Sequence, residues 1–152
     1  MGEARAGGFR VAGGWSGGTG ENVTSNSEIV RSITQAMARG DNLAVMGHVT
    51  RNVVWNVHAA DPDAAPWFGI YEGKRGIASF LDDLASVGFT RAETTDLIAE
   101  GDTVMTVTEL AFDGPNGRHV EVGEVQVWRL VDGKIASVDV FLDTAAIAAA
   151  FE

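Results

Sequence analysis

Between positions 25 and 40 the apolar residues Ile29, Val30, Ile33 and Met37 recur at the 3.6-residue period of a helix that buries one face. Ser25 or Asn26 supplies its N-cap and Gly40 its stop. Asp41 then caps a second, shorter helix holding Leu43, Ala44, Val45 and Met46. Asn52 to His58 reads as a strand, and Ala59 to Ile70 as a loop whose Asp61-Pro62-Asp63 and Ala65-Pro66 steps resist regular pairing. A third helix, from about Lys74 to Ser86, turns Ile77, Phe80, Leu81 and Leu84 to one side. Near Phe89 the period drops to two, and four strands follow at about Phe89–Ala99, Thr103–Phe112, His119–Leu130 and Ile135–Leu142. Glu100-Gly101-Asp102, Gly114-Pro115-Asn116-Gly117 and Val131-Asp132-Gly133-Lys134 are turn sequences, so these strands are antiparallel neighbours. Ala145 to Phe151 closes the chain as a short alanine-rich helix.

Strand parity divides the side chains between two faces. Val122, Glu124, Gln126 and Trp128 share one side of the third meander strand, and Val125 and Val127 share the other. Thr106, Thr108, Leu110 and Phe112 alternate with Met105, Val107, Glu109 and Ala111, while Val138, Val140 and Leu142 alternate with Ser137, Asp139 and Phe141. A carboxyl, an amide and an indole on one face of an apolar sheet line a cavity, which places function in a pocket. Both parities are partly apolar, so both faces are covered. Helices cover one. The simplest cover for the other is a second copy of the chain, a homodimer that hides Met105, Val107, Val125, Val127 and Phe141.

Composition narrows the partners. The 152 residues suffice for one domain with a substantial core. A net charge of −10 opposes nucleic acid and anionic membrane surfaces at long range. No cysteine is present, which removes thiolate chemistry and suits a reducing cytoplasm. His48, His58 and His119 do not stand at ligand spacing, so no metal site is expected. Residues 1–23 carry three glycine pairs and no continuous apolar run, and read as a flexible arm before a domain over 24–152, not as a signal or a membrane span.

The order helix, helix, strand, proline-rich loop, helix and four-stranded meander resembles the α+β barrel family that includes nuclear transport factor two, ketosteroid isomerase, limonene epoxide hydrolase and the SnoaL-like polyketide cyclases. The resemblance covers about Ser25 to Glu152 and rests on Arg39-Gly40-Asp41, on Phe68-Gly69-Ile70-Tyr71-Glu72-Gly73, and on Asp132-Gly133-Lys134-Ile135 with Asp143. It implies an α+β fold in which three N-terminal helices pack into a curved, mainly antiparallel, cone-shaped sheet around a central pocket. It also implies that Asn56 stands where the isomerase has its general-base aspartate and where the epoxide hydrolases have a water-holding asparagine. The hydrolases' Arg and Asp fall on Thr108 and Leu110, and their last-strand Asp on Val140, so neither catalytic set is complete. By this pairing Asn56, His58, Thr108, Glu124, Gln126 and Trp128 face the cone, and Trp55, Glu109, Asp139 and Phe141 face out.

Glu124 is the foremost catalytic candidate, because a carboxyl among apolar neighbours loses hydration and its pKa rises towards the operating pH. The alternative is a wet residue at the rim. His58 is a partner for proton transfer, or merely a strand-end histidine. Asn56 and Gln126 are donors to a carbonyl or oxyanion, or buried amides that satisfy one another. Gln126, Trp128, Thr108, Leu110, Phe112, Val138 and Val140 form the expected substrate-binding wall. Three functions follow: cofactor-free isomerase, cyclase or hydrolase chemistry on a small apolar molecule of terpenoid, steroid-like or polyketide-like type; ligand binding without turnover; or a protein-interaction scaffold. Fold alone does not decide among them.

Overall fold

The computed structural model describes residues 25–152, so the glycine-rich arm expected over 1–23 lies outside the described residues. Helix α1 (Asn26–Arg39) begins with a capping box, in which Glu28 N donates to Ser25 Oγ at 3.2 Å and Ser25 N donates to Glu28 Oε1 at 3.3 Å. It buries Ile29, Val30, Ile33 and Ala36. Asp41 caps α2 (Asn42–Gly47), its Oδ1 accepting from Ala44 N at 3.1 Å. Helix α3 (Gly73–Ala85) buries Ile77, Phe80 and Leu81. After the last strand Asp143 caps α4 (Thr144–Ala148), and a 3₁₀ turn (Ala149–Phe151) ends the fold.

Among the described residues six strands make one sheet: β1 (Val49–Val57), β2 (Gly69–Glu72), β3 (Arg91–Glu100), β4 (Thr103–Asp113), β5 (His119–Val131) and β6 (Lys134–Leu142). Their order is β2-β1-β6-β5-β4-β3. Only β1 against β6 is parallel, as their long separation in sequence allows. The four-stranded meander is as the turn sequences predict. Asp132 and Gly133, with φ of 49° and 77°, form the two-residue left-handed turn that suits the sheet's twist.

Strand β3 begins at Arg91, two residues later than expected, and the closing helix gives way to a 3₁₀ turn after Ala148; two larger differences from the sequence reading concern β2 and β1. Gly69–Glu72, with Gly69 and Ile70 expected as loop and Tyr71 and Glu72 in no element, is the strand β2 antiparallel to β1, with Trp55 opposite Tyr71. Prolines 62 and 66 stop pairing upstream but not beyond Gly69, and β2 satisfies backbone groups that β1 would otherwise expose. Strand β1 also starts three residues earlier than expected, pairing Val49 with Ile135 before a register shift. Further shifts between Thr94 and Asp96 and between Arg129 and Leu130 mark irregularities of the kind that bend a sheet. The curved, unclosed sheet holds α3 against β1 and β2, and α1 against β3 and β4.

Aromatic rings fix one end of the core. Trp67, delivered by the proline-rich loop, meets Phe89, Phe112 and Phe151 at centroid separations of 5.4, 5.8 and 6.1 Å. The C-terminal turn is tied to the β4–β5 connection there, where Asn116 Nδ2 donates to Ala149 O at 2.9 Å. Gly114 lies so close to Ala150 that a Cβ would overlap that residue's backbone carbonyl. Gly114→Ala is therefore expected to destabilise the fold by about 1–3 kcal/mol, the cost of overpacking a filled core. Thermal unfolding should show the midpoint several degrees lower.

Candidate functional site

The concave side of the sheet and helices α1 and α3 enclose a cavity of about 560 Å³. Its wall carries Trp55 and Val57 from β1, Phe80 and Leu81 from α3, and Trp67 from the proline-rich loop. Five of the expected side chains, Thr108, Leu110, Gln126, Trp128 and Val140, line it together with Glu124. Cross-strand register explains the grouping: Thr108 stands opposite Glu124, Thr106 opposite Gln126, and Gln126 opposite Val140. Phe112 and Val138 are buried in the core but do not reach the cavity, Phe112 being part of the aromatic cluster at the end of the fold.

The first strand corrects the inferred parity. Trp55, expected outside, is 1% exposed, with its ring 4.7 Å from Phe80 and 5.4 Å from Trp128. Asn56 and His58 occupy the opposite side. Asn56 is in register with Asp139 and Ile70, and the exposed His58 ring stacks on Phe141 at 4.5 Å while its Nε2 contacts Asp139 Oδ1 at 2.8 Å. Asp139 also accepts from Arg129 Nη1 at 3.2 Å. His58 thus cannot pass a proton directly to Glu124, and Asn56 does not polarise a ligand in the cavity. The physical reason is that Val53, Trp55 and Val57 form an uninterrupted apolar set two residues apart, and burial selects that set. Trp55 and Trp67 are the largest of the cavity residues that the sequence reading missed, which also include Val57, Phe80 and Leu81. The alternation around Trp55 was a sufficient signal for the first, whereas Trp67 sits in a loop with no periodicity.

Polar groups behind the cavity form a directed chain. Trp128 Nε1, which can only donate, gives its hydrogen to Thr106 Oγ at 2.9 Å. Thr106 Oγ in turn donates to Gln126 Oε1, which also accepts from Thr108 Oγ at 3.1 Å. Gln126 Nε2 then donates to Glu124 Oε2 at 2.8 Å. Oε1 of Glu124 has no protein partner among the described residues. Burial pushes the Glu124 pKa up to about 7, and the Gln126 N–H, by stabilising the charged form, partly opposes that rise. The other charged side chains on the wall are Asp82 and Arg91, and Arg91 is engaged by Glu109 at 2.9 Å and Glu93 at 3.2 Å. Among the described residues no three or more His, Cys, Asp or Glu side chains gather in a way that would hold a metal ion. No helix among them is long and apolar enough to cross a membrane.

Comparison with known proteins agrees with this architecture. The SnoaL-like domain family matches residues 30–138. An NTF2-like protein from Burkholderia thailandensis is 27% identical, with a TM-score of 0.73 over 83% of this chain and 96% of that one. An NTF2-like protein from Burkholderia xenovorans is 22% identical, with a TM-score of 0.72 over 84% and 95%. TerC, crystallised with polyporic acid, is 23% identical, with a TM-score of 0.71 over 80% and 94%. No curated protein matches the sequence significantly.

The raised Glu124 pKa has a consequence for stability. The folded protein holds this proton more tightly than the unfolded chain, whose glutamate titrates near 4.5. The stabilising contribution is complete below the unfolded value and is lost as pH rises through about 7. It amounts to something on the order of 3 kcal/mol. Urea unfolding at pH 5 and pH 8 is expected to show wild type losing stability over that interval and Glu124→Gln losing markedly less.

Proposed function

This chain belongs to the SnoaL-like domain family, and we propose that it binds a small, mostly apolar molecule of terpenoid, steroid-like or polyketide-like type in the cavity and transforms it by acid–base chemistry. The observation that carries the proposal is Glu124: a carboxyl held in an aromatic-walled cavity, titrating near neutrality, with one oxygen unpartnered. A pocket of this volume suits a ligand of modest size, and its wall is more apolar than polar. TerC, which shares the fold, was co-crystallised with polyporic acid, and that supports a small organic ligand for this chain. Glu124 as the acid protonates a ligand oxygen; as carboxylate it accepts a proton from carbon or from water. Isomerisation, ring closure and epoxide opening all need such a group. The residues on the wall supply the rest by shape, with Trp55, Trp128 and Phe80 confining the ligand.

The outer face of the meander carries the second part of the proposal, a homodimer. Ile98, Met105 and Val127 are aligned across three strands, and Val107, Val125 and Phe141 form the adjacent row. Ile98, Met105, Val125 and Phe141 are each more than one-third exposed. A contiguous apolar band of that kind on a sheet is costly to leave in water, and a two-fold copy covers it with its own equivalent.

Crystals soaked with a panel of apolar ketones, quinones and epoxides identify the ligand class. With a turned-over ligand in hand, Glu124→Gln is expected to keep affinity while turnover falls roughly 100-fold or more. Unchanged or tighter binding with no wild-type turnover would reduce the protein to a binder, since an amide is less costly to desolvate than a carboxylate. For the dimer, sedimentation at micromolar concentration should give twice the chain mass for wild type and a monomer for Phe141→Arg. A monomeric wild type refutes the dimer.

A further inference from the structure

The chain of hydrogen bonds behind the cavity contains one member that a ligand does not reach. Thr106 is 1% exposed and is absent from the cavity wall, although its neighbours Thr108, Gln126 and Trp128 all line it. We infer that Thr106 is a positioning residue: it fixes which way the Gln126 amide faces, and thereby which oxygen of Glu124 exchanges a proton with the ligand. The inference rests on the acid–base reading of Glu124 and names the residue that governs that group.

Hydrogen-bond capacity supplies the reason. Trp128 Nε1 is a donor with no alternative role, so Thr106 Oγ receives its hydrogen and must send its own elsewhere. The acceptor within reach is Gln126 Oε1. Thr108 Oγ reinforces the choice by donating to the same atom, and Thr94 Oγ lies 3.4 Å behind Thr108. Were the amide to turn over, Thr106 would face Nε2 and its hydroxyl hydrogen would be left buried and unpaired, at a cost of about 1–3 kcal/mol. With the amide held, Nε2 is committed to Glu124 Oε2, and the mobile proton of Glu124 belongs to Oε1. A turned amide would instead present Oε1 of Gln126 to the carboxyl, and the neutral acid would spend its proton inside the protein. The charged groups sharing the wall, Asp82 on α3 and Arg91 on β3, make no hydrogen bond with Glu124, so the amide is the hydrogen-bonding control on its titration.

Carboxyl-detected NMR of carbon-labelled glutamate reads this without any ligand, with Glu124→Gln assigning the resonance. Thr106→Val keeps the shape and removes the hydroxyl. It should raise the Glu124 midpoint by ~0.5–1 unit through the weakened amide donation, and Thr106→Ser should return it to the wild-type value. A folded Thr106→Val with an unmoved midpoint overturns the inference, as does a serine variant that behaves like the valine one. Wild type offers a check that does not depend on Thr106→Val folding: the Gln126 side-chain N–H signals should move downfield with the Glu124 midpoint as the carboxyl ionises. Signals indifferent to that titration would show the amide facing the other way. A wild-type Glu124 midpoint near the ordinary ~4.3 removes the acid–base function, yet leaves the difference between wild type and Thr106→Val as the separate measure of positioning.

Discussion

Burial of one carboxyl is the constraint on which this molecule turns. An ionised glutamate out of water is unfavourable unless hydrogen bonds or a counter-charge offset the lost hydration. Among the described residues there is one donor, the amide of Gln126, and no cation in contact. The balance therefore leaves Glu124 near the midpoint of its titration at neutral pH instead of fully charged. A second donor or a nearby arginine would hold it ionised. A drier pocket without Gln126 would hold it neutral. The single amide sets it between, where the group can both give and take a proton.

That arrangement depends on the sheet more than on the loops. Glu124, Gln126 and Trp128 occupy alternate positions of β5, and Thr106 and Thr108 oppose them from β4. The whole polar chain is thus built on two paired strands whose register holds donor and acceptor in place, a firmer footing than loop residues provide. A one-residue slip of that register would carry Glu124 to the outer face and break every cross-strand link of the chain. Helices α1 and α3 and the proline-rich loop contribute walls, chiefly aromatic and aliphatic, but no member of the relay.

Much of this was legible in the sequence because the meander is regular. Alternation along β4, β5 and β6 separated Thr108, Glu124, Gln126 and Val140 from Val125, Val127 and Phe141, and tight turns forced neighbouring strands into register. Legibility ended where local pattern gave way to long-range packing. β2 is four residues long, too short for alternation to mark it, and exists because β1 has an edge to pair. Trp67 enters the core from a segment that carries no period at all. Asn56 and His58 were placed inward on the resemblance, although Val53, Trp55 and Val57 form the more apolar set on the same strand. Local burial of three large apolar side chains was the better guide than positional correspondence with a family. Phe112 and Val138 had the right parity but do not reach the cavity: Phe112 belongs to the aromatic cluster around Trp67, and Val138 stands in register between the lining side chains of Trp55 and Trp128, a matter of three-dimensional packing that alternation does not encode.

The same strands that carry the hydrogen-bonded chain inward carry an apolar band outward. Val125 and Val127 alternate with Glu124 and Gln126 on β5. On that outer face the neighbouring polar cluster of His58, Asp139 and Arg129 lies beside Phe141. Its charges are partly exposed, so they add little stability by themselves, but their geometry restricts how an apolar surface can approach. A covering partner must meet the band of Ile98, Met105, Val125 and Phe141 while leaving Asp139 paired, because burying that carboxylate without His58 or Arg129 would cost more than the adjacent apolar contact returns. Since each strand side chain can serve only one face, the amino acids that make the cavity chemically specific and those that cover the back of the sheet are chosen independently, position by alternate position, along a single stretch of chain.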